Sequence, residues 1–155
     1  MGVSGSGKTT IGQQLSSRTG YDFYDADSFH TDENKSKMNA GIPLTDEDRW
    51  PWLDKIHAFV VDKLSSNNII LVCSALKKAY RDHLSRSIEE NCHWVFLEGD
   101  YNTIFTRMNR RKDHYMPATL LRSQFDTLEA PSNAILMDIR QSPESIVDDI
   151  LLRIK

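Results

Sequence analysis

The sequence predicts an α/β fold with a mainly parallel sheet and helices on both faces, and three observations predict it. A glycine-rich opening, Gly2 to Gly7, runs directly into a helical pattern. Short continuous apolar runs, Ile69-Ile70-Leu71-Val72-Cys73 and Trp94-Val95-Phe96-Leu97, have the form of parallel strands covered on both sides. Helix-like stretches follow each of them, and strands alternate with helices to the end of the chain.

Taken in order, Ile11 and Leu15 mark one face of the first helix, which stops near Gly20, and Tyr21 to Asp25 reads as a short strand. After a polar stretch, Leu53, Ile56, Val60 and Leu64 mark a helix face that Trp52 and Phe59 widen, with Pro51 expected in its first turn. Ile104, Phe105 and Met108 predict another helix packed inward. Ala134 to Met137 forms the last strand, and Ser142-Pro143 then caps a helix carrying Ile146, Val147, Ile150, Leu151 and Ile154 on one side.

The 155 residues are expected to form a single domain, residues 1–155. Acidic residues outnumber basic ones by 22 to 19, and no lysine or arginine block suggests a nucleic-acid partner. No run approaches the roughly 18 apolar residues of a membrane span, and the start lacks a signal-peptide layout, so a cytosolic protein is expected. Cys73 and Cys92 form no CxxC pair and no metal-ligand cluster with histidine, so reduced thiols are expected.

Gly2-Val3-Ser4-Gly5-Ser6-Gly7-Lys8-Thr9 fits GxxxxGK[ST] in full, followed by Thr10. Glycines let the backbone wrap phosphate oxygens, and the helix behind them turns its free N–H groups and positive dipole end toward the same anion. Nucleotide binding is the reading, with Lys8 beside the β- and γ-phosphates and the Thr9 hydroxyl toward magnesium. A phosphate loop ordinarily follows a buried strand, whereas only Met1 precedes Gly2. The first strand is therefore expected to be missing: either the sequence starts at an internal methionine of a longer protein, or the domain folds without that strand.

Asp25-Ala26-Asp27 lies past the carboxyl end of the second strand position, where ligands gather in an open α/β sheet. Asp25 can support a magnesium shell and Asp27 can accept or orient the proton of an attacking hydroxyl; the alternative is an acidic turn that caps the next helix. His30 can hydrogen-bond a polyol or be structural. Arg49, Lys77 and Arg81 are the candidate cations for a carboxylated acceptor, although the acidic run Asp46-Glu47-Asp48 can equally cap a helix and pair with Arg49 on the surface. Arg107 and Arg111 fall four apart on a second, cationic face, which reads either as part of a closing cover or as a solvated helix end. No Walker B aspartate ends the Ile69 to Cys73 strand, so metal support falls to Thr9, Asp25, phosphate oxygens and water.

Together GVSGSGKTT, DADSFH, KMNAGIPLTDEDRWPWL, CSALKKAYRD and HYMPATLLRSQFDTLEAP resemble the gluconokinase family in order and spacing, from Gly2 to the final helix. The resemblance implies a P-loop kinase fold of three α/β/α layers, like that of shikimate and adenylate kinases, with a lid over about residues 110–131. It further implies transfer of the ATP γ-phosphoryl group to the 6-hydroxyl of D-gluconate, dependence on Mg2+, and commonly a homodimer. By the same resemblance Arg107 lies by the adenine, Arg111 near the phosphates, and Gln124 in the substrate site. Ser28 and Asp113 stand where the family often has an acidic residue and a glycine. The competing readings are a kinase of shikimate or another small hydroxyl acceptor, and a non-catalytic nucleotide-binding homologue.

Overall fold

In a computed structural model of the chain, which describes residues 1–110 and 118–154, four short strands and seven helices alternate. The phosphate loop ends in Gly7, whose φ of 99° starts α1 (Lys8–Thr19), and Gly20 closes that helix at φ 76° by donating its N–H to the Ser16 carbonyl at 2.8 Å. Both glycines hold a left-handed backbone that a side chain would strain. β1 (Asp22–Asp25) follows, then a 3-10 turn over Ala26–Phe29.

The polar stretch after His30 contains a helix with no apolar periodicity, α2 (Asp32–Asn39), which is fixed by its cap: the Thr31 hydroxyl accepts from the Asn34 N–H. α3 (Asp46–Leu64) starts earlier than its apolar face predicts, because Thr45 and Asp48 form a reciprocal capping box. Pro51 accordingly lies inside the helix and not in its first turn, a correction to the sequence expectation. β2 (Ile69–Val72) leads to α4 (Lys78–Ser85), and β3 (Val95–Glu98) to α5 (Tyr101–Asn109), which Asp100 caps. α6 (Ala118–Thr127), β4 (Ile135–Asp138) and α7 (Pro143–Arg153) complete the order, with Ser142 capping α7 and proline in its first position.

All strand pairing among the described residues is parallel, as predicted, but it does not form one sheet. β1 pairs with β2 in the register Asp22 to Ile69, and β3 pairs with β4 in the register Val95 to Ile135. Met1 bridges the two pairs: its amino group donates to the Val95 carbonyl at 2.5 Å, its carbonyl accepts from the Leu97 N–H at 3.0 Å, and Gly2 N–H donates to the Ser74 carbonyl at 3.2 Å.

Two apolar cores flank this layer. One joins Ile11 and Leu15 of α1 to Ile104 of α5, Met137 of β4 and Ile146, Val147 and Ile150 of α7. The other joins Trp52, Leu53, Ile56 and Val60 of α3 to Cys73, Tyr80 and Leu84. The three-layer α/β/α arrangement is thus present, and the first core takes in Val3 of the phosphate loop. No helix among the described residues is long and apolar enough to cross a membrane. Cys73 and Cys92 are free thiols, and burial pushes the Cys73 pKa up to about 12, away from the reactive thiolate.

Candidate active site

The phosphate loop is held from three sides. Val3 is buried in the first core, Gly5 (φ 79°) passes directly over Met108 and Ile104 of α5, and the Gln124 side chain clamps Ser4, accepting its N–H at 2.7 Å and donating to its hydroxyl at 3.1 Å. Gln124, expected among the substrate contacts, thus belongs to the loop's support. Lys8 folds back to donate to the Val3 carbonyl at 3.0 Å, while Thr9 and Thr10 stand exposed in the first turn of α1. The loop therefore presents Gly2, Val3, Ser4, Gly5, Ser6 and Gly7 as a cradle ahead of the α1 amino terminus, an anion seat by construction.

Burial lowers the pKa of Lys8, against which the charges of Asp27, Cys73 and Asp25 act. Asp27 is raised above the usual carboxylate range by burial and by Asp25, with Lys8 opposing. These reciprocal influences make Lys8, Asp25 and Asp27 one electrostatic group at the carboxyl end of β1. Asp27 is its outermost member, with 76% of its side chain exposed, so water screens the perturbation and leaves its carboxylate accessible to an acceptor molecule. Asp25 meanwhile accepts the Asp27 N–H at 3.0 Å, which combines the capping role weighed from sequence with a carboxylate that retains further lone pairs.

His30 stands behind Asp27, its Nε2 3.9 Å from Asp27 Oδ1. Its ring stacks on Trp52 with centroids 4.2 Å apart and planes 12° from parallel, and Trp52 is itself fixed by donating Nε1–H to the Ala26 carbonyl at 2.8 Å. Only 4% of the His30 side chain is exposed, and Nδ1 has no hydrogen-bond partner among the described residues. Burial, with the positive charges of Arg49 and Lys35, depresses its pKa to about 4, so the ring is neutral at physiological pH.

The cations expected on the acceptor side separate into two groups. Arg49 donates to the Leu44 carbonyl at 2.6 Å and to the Tyr80 hydroxyl at 3.3 Å, and Lys77 holds both oxygens of Asp46 at 2.9 Å. Tyr80 donates a short hydrogen bond to the same Asp46 carboxylate. Arg81 is elsewhere: it is 6% exposed and gives its guanidinium to the Ala75 and Leu76 carbonyls at 3.0 and 3.1 Å. Those bonds secure a turn in which Ala75 takes a left-handed φ of 43°. Asp46, read from sequence as a surface partner of Arg49, does lie 3.9 Å from its guanidinium, but its bonds to Lys77 and Tyr80 are not foreshadowed by the sequence. A helical spacing of three from Lys77 was the sole hint for Tyr80, and the 31 to 34 residues separating Asp46 from Lys77 and Tyr80 leave none.

Arg107 donates to the Ile139 carbonyl at 2.6 Å, next to the Asp138–Arg140 ion pair at the end of β4. The predicted lid is in part anchored: Leu121 of α6 is 1% exposed within the first core, and the loop after α6 ties back where the Glu129 carboxylate accepts the Lys78 N–H at 2.6 Å. Arg111 and Asp113 lie outside the described residues. Among the described residues no group of three or more histidine, cysteine or acidic side chains could hold a metal ion. Thr9 and Asp25 offer two hard oxygen donors, a set suited to a magnesium ion that also takes phosphate oxygens and water.

The model of the shikimate kinase family matches residues 4–155. A probable gluconokinase of Xenopus tropicalis is 43% identical over 97% of this chain and 88% of its own length. The chain belongs to the gluconokinase family. Within that family the thermosensitive gluconokinase of Escherichia coli (strain K12) is 47% identical over 84% of this chain and 70% of its own length. A gluconokinase from Sinorhizobium meliloti 1021, known from its crystal structure, superposes with a TM-score of 0.91 at 41% identity, covering 99% of this chain and 88% of that one. The family assignment bears out the P-loop kinase fold read from the sequence, and with it nucleotide binding.

Proposed function

We propose that the protein transfers the γ-phosphoryl group of ATP to the 6-hydroxyl of D-gluconate. The observation that carries this reading is the electrostatic group of Lys8, Asp25 and Asp27 at the mouth of the phosphate loop, backed by a neutral, buried His30. In the reaction the acceptor oxygen forms a bond to Pγ as the bond from Pγ to the β,γ-bridging oxygen breaks, leaving ADP. Asp27 takes the hydroxyl proton and passes it to solvent, a transfer its exposure permits. Lys8 balances charge on the transferring oxygens, and Arg111 is assigned the same task from the lid. Magnesium, held through Thr9, Asp25 and the phosphates, would neutralise phosphate charge.

His30 is assigned to the acceptor through Nε2, which faces the exposed Asp27 carboxylate and can make one hydrogen bond to a polyol. Arg49 and Lys77, with Tyr80 between them, suit the acceptor carboxylate. Arg81 and Gln124 are better suited to holding the turn and the loop. Arg107, beside the β4–α7 turn, is assigned to the adenine. A cytoplasmic homodimer belongs to the same reading. The test is formation of 6-phosphogluconate from D-gluconate and MgATP by the purified chain, with shikimate and ribose as comparison acceptors. Turnover preferring either of those would overturn the assignment of acceptor; nucleotide binding without any turnover would favour the non-catalytic reading.

A further inference from the structure

The cations assigned to the acceptor carboxylate already hold a carboxylate of the protein's own. Asp46 receives Lys77 Nζ at 2.9 Å on both oxygens, accepts a short hydrogen bond from the Tyr80 hydroxyl, and lies 3.9 Å from the Arg49 guanidinium. Two elements build this seat: Asp46 and Arg49 stand at the start of α3, while Lys77 immediately precedes α4 and Tyr80 lies in its first turn. Arg49 and Lys77 both approach the Tyr80 ring, at 5.5 and 5.6 Å from its centroid, so the three donors stay together. Hydrogen bonds from Tyr80 and then Lys77 hold the Asp46 carboxyl below the usual carboxylate range, so it is ionised at physiological pH. Two positive charges face one negative charge, and the seat remains cationic.

The Asp46 carboxylate is not what caps α3. That helix is closed by the reciprocal bonds of Thr45 and Asp48, with Lys37 on Asp48 at 2.7 Å, and none of them involves the Asp46 side chain. Burial does not lock it in place either, since 40% of the Asp46 side chain is exposed. A change of rotamer carries it into water with the backbone unmoved. Arg49 stays behind, tied to the Leu44 carbonyl at 2.6 Å. The seat also lies within electrostatic reach of the reacting group, because the Arg49 charge is felt at His30, the residue behind Asp27.

We infer that Asp46 is an internal stand-in for the acceptor carboxylate: it keeps Lys77, Tyr80 and Arg49 assembled, and it swings out to water when a carboxylated acceptor takes those donors. Two carboxylates on one pair of cations repel each other, so entry of one requires departure of the other. Selection of the acceptor is then a competition that an uncharged polyol cannot win. This inference rests on the acceptor reading proposed above and adds to it a residue that sets specificity.

The experiment is calorimetric binding of D-gluconate, and of D-glucitol with CH2OH in place of the carboxylate, to the full chain and to Asp46→Asn. The amide keeps the shape and an oxygen for Lys77 and Tyr80 but removes the charge. Asp46→Asn is expected to lower the gluconate Kd about threefold or more, with no gain for glucitol, and the gain should vanish in a Lys77→Met background. An unchanged or raised gluconate Kd, an equal gain for glucitol, or a gain that persists with Lys77→Met would overturn the inference. The parent gives a second reading that needs no variant: the carbon-13 resonance of the Asp46 carboxyl should move as gluconate saturates the site, and a resonance that stays in place refutes displacement. Gluconate turnover by the parent without tightening in Asp46→Asn sinks this inference alone. Tightening without formation of 6-phosphogluconate sinks the proposed reaction alone, and no gluconate binding by either protein sinks both.

Discussion

Replacing Gly5 by alanine tests whether the nucleotide cradle is shaped by the helix beneath it. Gly5 has φ 79°, and a Cβ there would sit 2.6 Å from Met108 Cγ, 2.9 Å from its sulfur and 3.1 Å from Ile104 Cγ2. The left-handed backbone costs an alanine about 1–2 kcal/mol. Crowding adds about 1–3 kcal/mol, since the methionine can shift but Ile104, fully buried, cannot. Gly5→Ala is therefore expected to lose about 2–5 kcal/mol in urea unfolding and to weaken ADP binding at least tenfold, because the loop must lift from α5. Met108→Ala alone opens a void and destabilises by about 2–5 kcal/mol. The double variant separates the two causes: it should recover the crowding part, a coupling of about 1–3 kcal/mol, and keep the backbone part. Strict additivity, or a Gly5→Ala protein within about 0.5 kcal/mol of the parent, would refute the claim that α5 shapes the cradle.

Lys8→Ala and Asp27→Asn should each lower kcat by about 10²–10⁴-fold with the far-ultraviolet spectrum preserved; near-normal turnover in both would remove their assigned roles. The pKa of His30, lowered to about 4, means that the folded state binds fewer protons than the unfolded chain between about pH 4 and 6.5. Stability from this group is thus complete above about pH 6.5 and falls as pH drops, by roughly 3 kcal/mol in all. The Met1 ammonium, pushed down to about 5, bends the curve in the same direction. Urea unfolding of the parent and of His30→Phe at pH 7 and pH 4.5 isolates the histidine: the parent should lose more, and parallel curves would show that its burial carries no such cost. Arg81→Met, which leaves the Ala75 and Leu76 carbonyls without their donor, is expected to destabilise by about 2–4 kcal/mol while leaving the acceptor KM unchanged; a raised KM at unaltered stability would return Arg81 to the substrate site.

The legible parts of this molecule are those whose signals are local. The phosphate loop could be read in full because its glycines, lysine and threonine act within eight consecutive positions, and three of the four strands could be read because they are carried by short continuous apolar runs, whereas β1 is the short Phe-Tyr segment between two aspartates. α2 and the true start of α3 escaped a reading based on apolar periodicity, since both begin with a threonine cap and polar residues. The site residues were found as types but not as partners. Lys77 and Arg81 are four apart on one chain segment, yet one meets Asp46 from α3 and the other turns into the interior to hold Ala75.

From sequence alone, then, this protein's class, its nucleotide loop and its family resemblance were determined, because each depends on residue type at fixed spacing. Tertiary structure alone decided that Gln124 supports the loop, that His30 is neutral against Trp52, and that the strands form two pairs. Those outcomes depend on which distant segments meet and on how much water is left between them, and spacing along a chain encodes neither.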